Sequence, residues 1–316
     1  MMALHEALSQ YVAVRRALGT QLAEPAKTLR QFVAFVEGEG ASRITTALAL
    51  RWATARPNVQ RATWGRRLSM VRKFAAWLSA FDPETEVPPP RLLSARHRRP
   101  RPHIYTEAET RSLMAAAARC RSRKGLRALT YTALIGLLAA SGLRSGEAFA
   151  LDRTDVDVQS GMLFIRDTKF GKSRFVPVDA TTRRALAEYA AQRDARCPAP
   201  QSSAFLLSER GLRLVGTSAR MMFVRLSRTV GLRPATGSRR AGRGPRLQDF
   251  RHTFVTQRLV EWYRAGVDVT RELPKLATYV GHCEVGLTYW YIEAIPELLA
   301  LATERLIGRQ DAGGAP

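Results

Sequence analysis

The sequence has few of the residues that build disulfide frameworks, metal clusters or membrane spans. Its 316 residues include only 3 cysteines and 5 histidines, and neither set shows paired or helical metal-ligand spacing. It has no run of about 20 apolar residues, and no amino-terminal signal pattern precedes the first predicted helix. We therefore expect no disulfide framework, no metal site and no membrane anchor, and a reducing cytoplasm is the location that fits.

The sequence is also short of negative charge. Its 50 lysines and arginines outnumber 27 aspartates and glutamates, which gives a formal net charge of +23 at pH 7. Genomic base composition can explain the excess of arginine over lysine, but it does not explain the excess of base over acid. Because basic side chains that neutralise phosphates release condensed counterions, the surplus predicts a nucleic-acid partner in preference to an acidic membrane surface.

A proline- and arginine-rich segment separates two helical regions. The first region contains four helical patterns and no convincing strand. The segment between the regions combines several prolines with a run of arginines, which is typical of an interdomain linker and could follow a DNA backbone. The predicted division is a helical domain over 1–82, a linker over 83–103 and a second domain over 104–316.

The second region is predicted to be mostly helical with one small antiparallel β-hairpin. Thr106, ahead of Glu107 and Glu109, indicates a helix cap with acidic residues in the first turn. The β-branched and aromatic residues of 161–167 and 173–179 indicate two short paired strands. Later helices are predicted over 180–194, 217–230, 247–264, 271–280 and 295–308. The predicted fold class is therefore mainly α.

One helix of the first region is predicted to face DNA. Over residues 62–81, apolar side chains recur at helical spacing, and basic side chains occupy much of the remaining surface. Such a face suits phosphates, although a solvated helix surface has the same composition. The DNA-contact candidates on this helix are Thr63, Arg66, Arg67, Arg72 and Lys73. The candidates elsewhere are Arg98, Arg99, Lys172, Arg239, Arg240 and Arg243.

Four short patterns in the second region carry the candidate chemistry. They are Arg144 in SGLRSGEAFAL, Lys169 in DTKFGKSRFVPV, Arg251 in LQDFRHTF, and His282 with Tyr291 in VGHCEVGLTYWYI. In this order, and with a nine-residue step from His282 to Tyr291, the chain resembles the tyrosine recombinase or phage integrase family. It is most similar to the mobile-element recombinases whose tail reads T-Y-W-Y followed by P-E-L-L. The resemblance implies a SAM-like core-binding domain followed by a mostly helical catalytic domain.

The resemblance implies a DNA strand transferase that needs no metal, cofactor or ATP. Arg144 and Arg251 would clamp the pentacoordinate phosphate, because guanidiniums stay charged and donate bidentate hydrogen bonds. Tyr291 would form a 3′-phosphotyrosyl bond. A phenol of pKa about 10 needs the positive charge that these arginines supply. Tyr289 is the rival nucleophile, and the step from His282 favours Tyr291.

The remaining family roles fall on three further residues. Lys169 would protonate the departing 5′-hydroxyl as general acid, with Lys172 as the alternative lysine. His282 would hydrogen-bond the scissile phosphate or orient the pocket. Glu147 is expected to brace the Arg144 segment, because a bare carboxylate beside a phosphate would repel it.

One position departs from the family pattern. A histidine usually stands three residues before the second arginine, and this chain has Gln248 there, while His252 follows Arg251. Glutamine can donate a hydrogen bond to phosphate, but it cannot accept the tyrosine proton as a base does. General-base assistance would then fall to His282 or to water.

The predicted function is site-specific recombination for a mobile element, by integration or transposition. Two alternatives stay open: a DNA-binding accessory relative with weak catalysis, and a type IB-like topoisomerase. The implied partners are double-stranded DNA and a homotetramer on two DNA sites, with or without partner recombinases, in the nucleoid of a bacterial cytoplasm. The last helix, PELLALATERLIG, would bury Leu298, Leu299 and Leu306 by docking either in cis or in trans.

Overall fold

The chain forms two units, Met1–Pro100 and Arg101–Pro316. The computed structural model describes residues 3–20, 22–93, 101–166, 172–234, 244–281, 298–300 and 303. None of the helices in these ranges has the length and apolar character that crossing a bilayer requires.

The first unit contains the four predicted helices. They are α1 (Leu4–Ala17), α2 (Ala23–Gly38), α3 (Thr46–Thr54) and α4 (Arg61–Leu78). Helix α2 has Pro25 in its first turn, where a missing N–H costs no helical hydrogen bond. The rings of Phe32 and Trp52 meet edge to face, with centroids 5.2 Å apart, in the core between the helices.

The described start of the proline-rich segment is held against this first unit. The backbone N–H of Glu86 donates to the carbonyl of Ile44, and its carboxylate accepts from the backbone N–H of Thr46 at 2.8 Å. Arg72 donates from Nε to the carbonyl of Pro88 at 2.7 Å and from Nη2 to that of Pro89 at 2.8 Å. Arg72, one of the DNA-contact candidates, is half-buried, and these contacts fix the path of the proline-rich segment.

Arg67 was expected on the DNA-facing surface, and the structure places it inside the first unit. It is 7% exposed, its guanidinium carbon lies 3.7 Å from the centroid of the Trp52 ring, and Nη2 donates to the Trp52 carbonyl at 2.8 Å. Burial, and then the charge of Arg56, lower the pKa of Arg67. The sequence held a signal for this position, since Arg67 precedes the buried Val71 and Phe74 at the spacing of one helix face. Arg66 and Lys73 are exposed, as expected.

The second unit is built around helix α6, which packs against helices on several sides. Its helices are α5 (Glu107–Ala118), α6 (Leu126–Ser141), α7 (Ser145–Ala150), α8 (Ala180–Arg196), α9 (Gly216–Thr229), α10 (Asp249–Arg264) and α11 (Val269–Val280). The predicted helix cap at Thr106 is confirmed, and the structure shows it as a capping box. Glu109 N donates to Thr106 Oγ1 at 3.1 Å, and Thr106 N donates to Glu109 Oε2 at 2.8 Å. Tyr105 stacks on Phe250 with ring centroids 4.1 Å apart, so the start of this unit is packed against α10.

The predicted hairpin is confirmed, and the structure adds a third strand. Strands β1 (Val156–Asp157), β2 (Met162–Ile165) and β3 (Arg174–Pro177) form an antiparallel sheet in the order β1-β2-β3. Leu163 pairs with Val176 on the buried face, and Phe164 pairs with Phe175 on the outer face. Two residues are too few for an alternating pattern, so β1 left no recognisable signal in the sequence.

The described piece of the last helix packs within its own chain. Leu298 is fully buried, and it contacts the apolar cluster formed by α10 and α11. Leu299, expected to be buried as well, is 53% exposed in the single chain. Leu306 lies outside the described residues.

The position of Arg67 predicts a large stability cost that the neighbouring arginine should not show. We expect Arg67→Ala to lower the free energy of unfolding by about 2 to 4 kcal/mol, because it removes a charged hydrogen bond and a buried cation–π contact. Arg66→Ala, one residue away on the exposed face, should change it by less than about 0.5 kcal/mol. Urea unfolding followed by tryptophan fluorescence measures both, and equal losses would contradict the buried placement.

Candidate active site

The candidate site lies at the carboxyl end of α11, where the last carbonyls of a helix lack helical donors. Arg144, Arg174 and Arg251 meet there from the start of α7, from β3 and from α10. Their guanidiniums donate to the carbonyls of three consecutive residues, 279–281, over 2.6, 2.8 and 2.8 Å. This helix end carries partial negative charge, so cations are favourable beside it. We call these three side chains on these three carbonyls the arginine frame.

Arg144 occupies the cap position of α7, just after a tight turn. Gly142 has φ +60°, a left-handed conformation that ends α6 and turns the chain. The Arg144 backbone N–H and its Nη1 donate to the two carboxylate oxygens of Glu147 at 2.9 and 2.8 Å, while its Nη2 donates to the carbonyl of Gly281 at 2.8 Å. The Arg144 side chain keeps 31% of its surface exposed. It is therefore both fixed and accessible.

Arg251 also contacts the end of α11, but its side chain is buried. It is 2% exposed, with Nη1 donating to the carbonyl of Gly142 at 3.0 Å and Nη2 donating to that of Val280 at 2.6 Å. Arg251 therefore ties the turn before Arg144 to the end of α11. The structure brings the two predicted phosphate-binding arginines together, with one accessible and one buried.

Glu147 braces the segment, as the sequence predicted, and it has a second partner that the sequence did not reveal. It accepts from Arg174 Nη1 at 3.1 Å and Nη2 at 2.9 Å, in addition to Arg144. Burial alone would raise the pKa of Glu147. The hydrogen bonds and charge of Arg174, followed by the hydrogen bonds of Arg144, outweigh burial, and the pKa is lowered.

Gln248 lies next to this segment, at the start of α10. Its Oε1 is 3.5 Å from the backbone N of Ser145, a long contact, and the residue is half-buried. Asp249, the next residue, is 1% exposed and accepts from Arg246 Nη2 at 2.8 Å, so the beginning of α10 is firmly held. The residue in place of the usual histidine thus lies beside the Arg144 turn.

Several predicted site residues lie outside the described part of the chain. These are Lys169, His282 and Tyr291 of the catalytic set, and Arg98, Arg99, Arg239, Arg240 and Arg243 of the DNA-contact set. Lys172 is exposed just before β3, and Thr63 is half-buried on α4. Among the described residues, no group of three or more histidine, cysteine, aspartate or glutamate side chains is placed to hold a metal ion.

Comparisons with known proteins relate the whole chain to one family. The Phage integrase family matches residues 104–297. The chain is 44% identical over 310 residues to y4rB of Sinorhizobium fredii, named as an integrase/recombinase, covering 97% of this chain and 98% of that protein. It is 30% identical over 252 residues to the tyrosine recombinase XerD of Caulobacter vibrioides, covering 79% and 77% of the two chains.

A solved structure has a similar fold at low sequence identity. The Tn1549 transposon integrase, in complex with transposon right end DNA, superposes with a TM-score of 0.66 at 15% identity. The match covers 97% of this chain and 100% of that chain. Both units therefore have counterparts in a known fold.

The turn before Arg144 predicts opposite effects for two nearby glycines. At Gly142, an added Cβ would lie 2.5 Å from Cδ1 of Phe254 in a left-handed backbone, so Gly142→Ala should cost about 2 to 5 kcal/mol of stability. At Gly146, inside α7, nothing lies within 4 Å, so Gly146→Ala should stabilise by about 0.5 to 1 kcal/mol. Urea unfolding followed by circular dichroism tests the pair. A Gly142→Ala protein as stable as the parent would disprove this account of the turn.

Proposed function

This chain belongs to the phage integrase family of tyrosine recombinases, and we propose that it cleaves and rejoins DNA at specific sites through Tyr291. The observation that carries the proposal is the arginine frame. In it, the guanidiniums of Arg144 and Arg251 donate to the carbonyls of the two residues that precede His282 in the sequence. The proposed biological role is integration or transposition of a mobile element. The similarity to an integrase/recombinase along nearly the full chain supports that role.

The proposed reaction is a transfer of the phosphoryl group from the DNA backbone to tyrosine. The Tyr291 oxygen attacks the scissile phosphorus, the bond from phosphorus to the 5′-oxygen breaks, and a 3′-phosphotyrosyl bond forms. Lys169 protonates the departing 5′-oxygen as general acid. Because one phosphodiester replaces another, the bond energy is kept for religation. The reaction as proposed therefore needs neither ATP nor a metal ion.

The arginine frame suits the charge that develops on the phosphate. A guanidinium has five N–H groups, and among the described residues Arg144 uses two side-chain contacts, to Glu147 and Gly281. The remaining N–H groups of Arg144 are proposed to bind non-bridging phosphate oxygens. Arg251 adds a fixed positive charge in a buried position, where electrostatic attraction is stronger than in water. Donors fixed before the reaction need no reorganisation during it.

Gln248 is proposed to donate to the phosphate and not to act as a base. Its position beside the Arg144 turn supports this role, since its amide can reach the same region as the accessible guanidinium. The tyrosine proton would then pass to His282 or to water.

Binding is proposed to involve double-stranded DNA along both units. Arg66 and Lys73 support this on the first unit, because both are exposed on α4. The other proposed DNA contacts are Thr63, Arg72, Arg98, Arg99, Lys172, Arg239, Arg240 and Arg243. Assembly is proposed to be a homotetramer on two DNA sites, acting on the nucleoid in the bacterial cytoplasm.

Covalent capture of DNA tests whether Tyr291 is the nucleophile and also identifies the target DNA sequence. We expect the wild-type protein, expressed with its host DNA and denatured rapidly, to carry covalently attached DNA of a defined sequence. Tyr291→Phe should carry none, and Tyr289→Phe should carry as much as wild type. Sequencing of the attached DNA measures the outcome. DNA that is still attached to Tyr291→Phe would contradict the assignment of Tyr291 as the nucleophile. Rapid relaxation of arbitrary supercoiled plasmid would favour a type IB-like topoisomerase.

We predict that the cleavage activity tolerates histidine in place of Gln248. We expect Gln248→His to cleave the captured sequence as fast as wild type or faster, because histidine can donate to phosphate and also accept a proton. Gln248→Ala should be slower, since it removes the donor. Single-turnover cleavage of a nicked duplex measures both variants. A loss above about tenfold in Gln248→His, or roughly 1.4 kcal/mol, would show that glutamine is specifically required.

A further inference from the structure

We infer that Arg174 is a positioning residue: its charge neutralises Glu147, which leaves the charge of Arg144 available to the scissile phosphate. The inference rests on the proposed function and extends it to Arg174, a residue of the DTKFGKSRFVPV pattern for which the family resemblance implies no role. Arg174 touches neither substrate nor reacting atoms in this scheme, and it acts through Glu147.

Arg174 is held more completely than its position at the start of a short strand would suggest. Its side chain is 12% exposed, and each of its three nitrogens donates to a protein oxygen. Nη1 and Nη2 donate to the carboxylate of Glu147 at 3.1 and 2.9 Å, and Nε donates to the carbonyl of Tyr279 at 2.8 Å. A Cβ added to Gly281 would lie 2.7 Å from Nη1, so the guanidinium lies directly against that backbone. Such planar, two-pronged pairing is specific to arginine.

The charges of this group show what Arg174 contributes. Two guanidiniums, Arg144 and Arg174, share the one carboxylate of Glu147, so the three side chains carry a net charge of +1 (+1 +1 −1). Without Arg174 the net charge is zero. Glu147 would then have only Arg144 as its ion-pair partner among the described residues. A buried carboxylate beside Arg144 would oppose the approach of an anionic phosphate.

Arg174 also joins the segments that carry the proposed chemistry. It lies two residues after Lys172, on the strand that follows the predicted catalytic lysine, and it reaches the end of α11 just before His282. A second contact reinforces this link, because the Tyr279 hydroxyl donates to the carbonyl of Pro177 on β3 at 3.1 Å. Arg174 therefore links the hairpin, to which it belongs, with the Arg144 turn and with the end of α11.

The test is a double-mutant cycle of Arg174→Gln, Glu147→Gln and the pair together. The measurement is single-turnover covalent capture on a nicked duplex that carries the sequence recovered from wild-type adducts. We expect Arg174→Gln to slow the rate at saturating DNA by at least about tenfold, with a much smaller change in the half-saturating DNA concentration. The double variant restores a net charge of +1, so it should recover most of the lost rate. Arg174→Lys should lie between wild type and Arg174→Gln.

The control is Arg184→Gln, which removes one positive charge from the exposed surface of α8. It should cleave at the wild-type rate. A double variant as slow as Arg174→Gln would overturn the inference, because restoring the net charge of +1 would then not restore the rate. An Arg174→Gln protein that cleaves normally would overturn it as well.

A second readout separates this inference from the proposed function, since it needs no DNA. Arg174 holds the pKa of Glu147 low, so the ionised pair stabilises the native state above the ordinary carboxyl pKa. This contribution is lost as pH falls through the lowered pKa. The difference in urea midpoint between wild type and Arg174→Gln should therefore shrink from about pH 7 to about pH 3. In the Glu147→Gln background the difference should not depend on pH.

The two readouts can fail independently. If the pH coupling is absent, the inference is overturned whether or not DNA is captured. If the coupling is present but wild type captures no DNA, the Arg174 to Glu147 pairing is supported and the recombinase proposal is overturned.

Discussion

The site depends on the unsatisfied carbonyls at the end of α11. A helix cannot pair its last carbonyl oxygens internally, and its dipole leaves partial negative charge there. Arg144, Arg174 and Arg251 satisfy these carbonyls, and each arrives from a different element. The cations that stabilise the helix end also have the charge that the proposed binding of an anionic phosphate would need. The packing of α7, β3 and α10 around α11 therefore brings positive charge together before any DNA is bound.

Glu147 makes this concentration of positive charge compatible with folding. Cations placed this close repel one another, and a buried carboxylate between two of them offsets that repulsion. Glu147 is 9% exposed, so its charge would be costly without its partners, and breaking a buried pair of this kind typically costs about 3 to 5 kcal/mol. Glu147 and its two arginine partners therefore stabilise one another, and the net positive charge that remains can attract phosphate.

The same type of side chain serves opposite purposes on one helix. On α4, Arg66 and Lys73 are exposed and suited to DNA, whereas Arg67 packs on Trp52 and Arg72 holds the proline-rich segment. Residues adjacent in sequence point about 100° apart on a helix, so neighbouring arginines meet different surroundings. A high net charge thus predicts the kind of partner, but it does not predict which arginines face that partner.

The sequence by itself determined the helices of both units, the hairpin, the family and the brace role of Glu147, because periodicity, capping and motif spacing act over a few residues. Tertiary structure alone decided that Arg67 is buried and Arg251 covered, that β1 completes the sheet, and that Arg174 belongs to the site. Arg144 and Gly281 are 137 positions apart, and Arg174 and Tyr279 are 105 apart. Contacts over such separations follow from how the elements pack, and no local pattern encodes them.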